Sequence, residues 1–250
     1  MNEILIAIAG TSGAALLNFI FTKIYNKATG ENKNIFWKET QADLSSLKTN
    51  LDFNELKKRT RIVVIDDEDS FPVSLFQDEG YSVDKWEKVR DFGKLESGFY
   101  DIIVLDIQGV ATHISSEDGL GVLESIKNHN PAQIIIAFSQ HSFDLSKSKF
   151  WELADEKIAK PSDFLKIKRT IDNLINTKFK PERYITTLNQ VLRKNNIEEK
   201  DINKIILSIN KTIEKKENPN WKKIVENINT KTELVNQVIS LGNTIIKFFQ

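Results

Sequence analysis

The sequence predicts an α/β protein. A doubly wound, five-stranded parallel sheet should occupy residues 60–178, with an apolar transmembrane helix before it and an all-α region after it. Three observations carry this. Short apolar runs alternate with helical stretches from Arg61 to Thr177, the pattern of repeated strand–helix units. The alternation stops at Phe179, and only helical periodicity follows. Near the N-terminus, Ile4–Phe21 (ILIAIAGTSGAALLNFIF) runs for eighteen residues without a charge.

That first run reaches the lower limit for a membrane span, which needs about 20 residues within a range of about 17–25. Lys23 and Lys27 follow it, and only Glu3 precedes it. The basic side stays inside. Residues 1–27 therefore read as a transmembrane anchor of a single-pass protein at the cell inner membrane, with everything after residue 27 in the cytoplasm. A cleaved signal peptide would carry a basic front end, which is missing here. A buried helix of a soluble protein is the other reading. Gly10 and Ala14 stand four apart, a spacing that suits close packing against a second copy in a homodimer. Residues 28–59 then join anchor to sheet. The stretch 28–35 (ATGENKNI) is a polar linker, and Leu44, Leu47, Leu51 and Leu56 recur at roughly helical spacing.

The expected strands are Ile62–Ile65, Tyr81–Val83, Ile102–Leu105, Gln133–Phe138 and Lys157–Ala159, with helices between and after them at about 71–79, 87–97, 118–129, 145–154 and 162–177. Pro72 suits a first helical turn, and Gly80 suits a helix end. Ser162 and Asp163 are cap residues for the last helix. Near-continuous apolar runs indicate a sheet buried on both faces. From 179 to 250 four helices are expected, at 181–195, 200–216, 219–229 and 231–249. Pro181 and Pro219 lie near two starts, and Thr230 with Glu233 forms a capping box. This region holds thirteen Lys or Arg and eight Asp or Glu, a net of +5. The whole chain has zero net charge, so nothing global argues for nucleic acid, and nucleic acid is not an expected partner. With no cysteine and three histidines, disulfides and thiol catalysis are excluded and a structural zinc site has little to be built from.

The strand ends carry the chemistry. The first apolar run ends in Asp66 and Asp67, the third in Asp106 and the fourth in Ser139, and the fifth is followed by Lys160 and Pro161. In a parallel sheet these ends share one edge, where ligands bind. Three carboxylates there repel one another unless a cation relieves them. A hard, oxygen-rich cluster suits Mg²⁺. Taken singly, Asp66 and Asp67 read as helix caps, Asp106 as a turn residue and Lys160 as a surface lysine. Only their joint placement points to a phosphoryl group on an aspartate.

Residues 60–178 resemble the receiver domain of two-component response regulators, whose sheet is flavodoxin-like. The resemblance rests on VVIDDE (63–68), DIIVLDI (101–107), DGLGVLESIK (118–127), IIIAFS (134–139) and AKP (159–161). It implies that Asp106 is the phosphoacceptor and that Asp66, Asp67, Asp106 and the backbone carbonyl of Gln108 hold Mg²⁺. It also implies that Ser139 is the switch hydroxyl, that Lys160 contacts the phosphate, and that the Lys160–Pro161 bond is cis. The implied partners are a sensor histidine kinase or small phosphodonor and an unidentified output protein, in a phosphorelay with no enzyme activity beyond self-catalysed phosphotransfer and autodephosphorylation.

The chain departs from the family pattern at several points. The loop after Asp106, IQGVATHISSEDG, is longer than usual, lacks the proline and contains His113. Bulky Gln140 follows Ser139 where a small residue is usual, and Lys157 stands where an aromatic is typical. A pseudo-receiver scaffold that binds partners without phosphorylation is therefore the alternative reading, and a hydrolase on the same kind of sheet is a third.

Overall fold

The computed structural model describes residues 51–140, 148–226, 228 and 232–249. Five parallel strands form one sheet: β1 (Arg61–Ile65), β2 (Ser82–Trp86), β3 (Ile102–Leu105), β4 (Ile134–Ser139) and β5 (Glu156–Ala159). Their spatial order is β2-β1-β3-β4-β5, the flavodoxin-like doubly wound order, with its switch point between β1 and β3. The three central strands are apolar along their buried lengths except for Ser139 at the end of β4. Helices cover them on both faces, so no side needs to be polar. Edge strands β2 and β5 instead mix buried and exposed positions.

Helices α2 (Val73–Asp78) and α6 (Phe164–Thr177) cover one face. There Phe76 packs edge-on against Phe164 at 5.0 Å, and Phe71 against Phe138 at 5.7 Å. Helices α3 (Phe92–Glu96), α4 (Gly119–His129) and α5 (Ser148–Leu153) cover the other. Leu95, Val122, Leu123, Ile126, Phe150 and Trp151 close that face over Val63, Ile65, Ile103, Leu105 and Ile135. Burial of such side chains contributes about 1.5–3 kcal/mol each. Asp163 caps α6 by accepting from Lys166 N at 2.9 Å, and Gly80 follows α2 at φ +82°, both as the sequence indicates. A short helix, α1 (Phe53–Arg59), lies in the 28–59 segment, carries Leu56 of the expected leucine pattern and is capped by Asp52.

The C-terminal region is helical throughout its described residues: α7 (Pro181–Lys194), α8 (Glu199–Lys215), α9 (Trp221–Ile224) and α10 (Thr232–Phe249). The stripe Ile202, Ile205, Ile206, Ile209 and Ile213 of α8 is buried. So are Leu234, Val238, Leu241, Ile245 and Phe248 of α10, which packs on α7 with Phe248 5.6 Å from Tyr184. Two further α10 residues, Ser240 and Thr244, are buried against the turn at Gly98. Their hydroxyls would lie 3.2 Å from a Cβ placed there, and Gly98 has φ +71°. Glycine suits both the dihedral and the close approach.

Two polar ties bind these helices to the amino edge of the sheet. Lys247 of α10 donates to Asp101, at 2.6 Å to Oδ1, and Asp101 also accepts from Arg61 N at 2.7 Å. Asp155, just before β5, gathers Lys127 at 2.7 Å, Arg183 at 2.8 Å and Lys178 at 3.1 Å. Burial pushes the Asp155 carboxyl up, but the charges and hydrogen bonds of Lys127 and Arg183 outweigh it and hold the pKa at about 2.

Some expectations are corrected. The single-pass inner-membrane localisation is not upheld: no helix among the described residues is long and apolar enough to cross a membrane. Even apolar α10 carries Glu233, Asn236, Gln237, Asn243 and Lys247. The anchor expected at 1–27, Leu44 and Leu47 of the leucine pattern and the Thr230 half of the capping box lie outside the described residues. The second strand runs to Trp86 rather than ending at Val83, because an edge strand tolerates Asp84 and Lys85. The helix expected at 87–97 is only Phe92–Glu96, and that expected at 219–229 only Trp221–Ile224.

Replacing Asp155 by alanine strands three cations and should cost about 3–5 kcal/mol. The folded pKa is depressed, so this stabilisation is complete above the unfolded value of about 3.9 and is lost as pH falls through about 2. Urea unfolding at pH 7 should separate wild type from Asp155→Ala, and the gap should shrink towards pH 2. Likewise, Lys247→Met leaves Asp101 buried without its cation and should lower the urea midpoint.

Candidate functional site

Chain direction puts one end of every strand at the same edge, and the polar residues expected there do gather. Asp66 follows β1 and Asp106 follows β3. Asp106 N donates to Ile65 O at 2.9 Å, which locks the two strand ends side by side. Asp66 is fully buried, Asp106 is 6% exposed and Lys160 is 8% exposed. The Lys160 ammonium donates both to Asp66 Oδ1 and to Asp106 Oδ2, and it lies 5.0 Å from the Phe138 ring. The Lys160–Pro161 peptide bond is cis. Asp67 is exposed and completes a triad: Asp66, Asp67 and Asp106 each offer one oxygen within 4.8 Å of the others.

Backbone geometry supports the triad. Asp106 Oδ1 accepts from Ile107 N at 2.6 Å and Gln108 N at 3.4 Å. Asp66 Oδ2 accepts from Ser70 Oγ at 3.1 Å. Gly109 has φ +80°, and a Cβ there would fall 2.1 Å from Asp67 Oδ2. Gly119 opens α4 against the chain at Asp106, where a Cβ would fall 2.2 Å from the Asp106 carbonyl oxygen.

Burial pushes the Asp106 carboxyl above its ordinary range, and the hydrogen bonds and charge of Lys160 offset this only in part. Burial works against the charge on Lys160, but hydrogen bonds to Asp106 and Asp66 and their charges outweigh it and raise the pKa. The ammonium is therefore held protonated between two carboxylates.

Ser139 ends β4, fully buried and in register with Ala159; its carbonyl accepts from Lys160 N at 3.1 Å. Gln108 is exposed beside Asp106. Across the mouth, Gln140 Nε2 donates to Glu68 Oε1 at 3.4 Å. The long loop after Asp106 is drawn into a turn by Asp118, whose two oxygens accept from Gly109 N and Ala111 N, both at 2.6 Å. His113 Nε2 lies 3.0 Å from Val89 O. Asp118, Gly109 and Lys85 are the site residues that sequence reading missed. DG at 118–119 was visible as part of a motif, but its role as a clasp depends on loop closure. Lys85 is hidden in the sequence because it lies on edge strand β2, whose polar positions Asp84 and Lys85 resemble a loop.

No family model matches this chain, and no curated protein matches it. Solved structures do. A CheY-like response regulator receiver domain protein from Methanospirillum hungatei JF-1 is 22% identical over 48% of this chain and 95% of that one, with a TM-score of 0.41. A two-component response regulator from Clostridium difficile is 22% identical over 47% and 97%, with a TM-score of 0.40. The response regulator protein TrrA from Thermotoga maritima, solved in complex with Mg(2+)-BeF, is 31% identical over 46% and 98%, with a TM-score of 0.38. Each likeness covers about half of this chain. The fold assignment itself stands on strand order and register.

Gly109→Ala should push Asp67 out of the triad while leaving the sheet intact. Mg²⁺ affinity is expected to fall by about 10–100-fold, read by calorimetric titration, with thermal melting checking that the fold persists.

Proposed function

We propose that this chain is a response-regulator-like signalling protein whose receiver domain, residues 60–178, accepts a phosphoryl group on Asp106. The observation that carries the reading is the Lys160 ammonium held between Asp66 and Asp106, beside a third carboxylate. In this reading Asp66, Asp67, Asp106 and the carbonyl of Gln108 hold Mg²⁺. The donor set fits: all are hard oxygen ligands at one open edge. A bound Mg²⁺ would supply positive charge to the phosphoryl oxygens.

The remaining chemistry belongs to the chain's own groups. An Asp106 oxygen attacks phosphorus as the bond to the donor's leaving group breaks, in line. The donor is the phosphoimidazole of a histidine kinase or a small acyl phosphate. An imidazole leaving group takes up a proton; a carboxylate leaves as the anion. In this reading Lys160 moves its ammonium from the Asp106 carboxylate to the new phosphoryl oxygens, and Ser139, at the end of β4, donates its hydroxyl to them. The chain then acts on no separate substrate: its chemistry is self-catalysed phosphotransfer and autodephosphorylation.

Output in this reading is protein–protein interaction. The helical domain at 179–250 is anchored at the amino edge of the sheet, through Lys247 and Asp101. Helix α4 joins the two ends: Gly119 lies at the Asp106 carbonyl, and Asn128 O accepts from Gln237 of α10. A change at Asp106 thus has a packed route to the C-terminal helices.

One observation favours the rival scaffold reading: Gln140 and Glu68 meet across the pocket mouth, which narrows entry for a donor. Acetyl phosphate with Mg²⁺ separates the two. Wild type is expected to gain the mass of one phosphoryl group by intact mass spectrometry, with no gain in Asp106→Asn or in excess EDTA. An unlabelled wild type would favour the scaffold.

A further inference from the structure

Lys85 is not among the groups the phosphoacceptor reading uses, yet it reaches the same pocket. It sits near the end of β2 in register with Val64, so its side chain runs beside the strand that delivers Asp66. Its Nζ lies 3.7 Å from Asp66 Oδ2 and 3.3 Å from Asp69 Oδ1, with the lysine side chain 22% exposed and Asp69 fully exposed. It also donates to the Glu68 carbonyl. The Asp69 contact is a surface pair of little worth. The Glu68 carbonyl and buried Asp66 are what fix the ammonium. Asp66 is therefore flanked by cations on both oxygens, Lys160 on Oδ1 and Lys85 near Oδ2. Lys160 brings one positive charge to two buried carboxylates. Lys85 adds a second positive charge beside Asp66.

We propose that Lys85 is a resident counter-cation that sets how tightly this chain takes Mg²⁺. The inference rests on the reading of Asp66, Asp67 and Asp106 as the Mg²⁺ site. A fixed unit charge within several ångströms of a divalent ion weakens its binding by about tenfold even at the dielectric of bulk water. The pocket therefore fills at a higher Mg²⁺ concentration than its carboxylates alone would set, and phosphoryl acceptance follows the Mg²⁺ level over that range. Because Lys85 lies on the outer side of Asp66, it acts through charge and leaves the ligand oxygens of Asp67 and Asp106 free to face the ion.

The test is calorimetric Mg²⁺ titration of the full chain at low ionic strength, comparing wild type, Lys85→Gln, Lys85→Met and Lys85→Arg, each checked for folding by thermal melting. Lys85→Gln keeps a donor for the Glu68 carbonyl, so it guards against simple loss of the 68–70 turn. Both neutral variants are expected to bind Mg²⁺ about tenfold more tightly. Lys85→Arg should stay close to wild type, and added KCl should narrow the gap. Unchanged or weaker affinity in Lys85→Gln would overturn the inference and leave Lys85 as a brace for the turn. If neither wild type nor any variant bound Mg²⁺, the metal reading itself would fall, and this inference with it.

Discussion

Asp66 and Asp106 leave adjacent parallel strands side by side, and the Lys160 ammonium lies between them. Three carboxylates at one sheet edge would otherwise repel one another with little water to screen them. Three negative charges and one positive leave two negative charges over Asp66, Asp67, Asp106 and Lys160, the charge a divalent cation neutralises. Breaking a buried pair by removing one partner costs about 3–5 kcal/mol, so the apolar strands behind the pocket must hold it rigidly. They do so with Ile62–Ile65, Ile102–Leu105 and Ile134–Phe138, all at 1% exposure or less.

The two edges of the sheet divide the labour. At the carboxyl edge three carboxylates, Asp66, Asp67 and Asp106, outnumber the Lys160 ammonium. At the amino edge each acid meets cations drawn from helices: Asp101 with Lys247, and Asp155 with Lys127, Lys178 and Arg183. Strand β3 separates Asp101 from Asp106 by about 16 Å at ~3.3 Å per residue. Glycines at the tight places, Gly109 against Asp67 and Gly98 against α10, let backbone approach where a side chain would collide.

Much of this was legible in the sequence for physical reasons. Buried parallel strands must be apolar throughout, so Val63, Val64 and Ile103 announce themselves. A charged residue directly after such a run marks a strand end, which is how Asp66, Asp67, Asp106 and Lys160 could be placed on one edge. What resisted reading depends on long-range closure. Lys85 lies on an edge strand whose polar face resembles a loop. Asp118 acts through a loop clasp, and the α10 hydroxyls of Ser240 and Thr244 are buried only because Gly98 lets the helix approach. The membrane localisation drawn from the uncharged run Ile4–Phe21 and its flanking lysines is not supported by any described helix.

In the proposed function Asp66, Asp67, Asp106 and Lys160 form one pocket for a cation and a phosphoryl group together. Fluorine NMR of the chain with Mg²⁺ and beryllofluoride, a phosphoryl mimic, tests this directly. Bound fluorine signals should appear in wild type only when Mg²⁺ is present and should be lost in Asp106→Asn. Bound signals that persist in Asp106→Asn, or a wild type with none at saturating Mg²⁺, would contradict it.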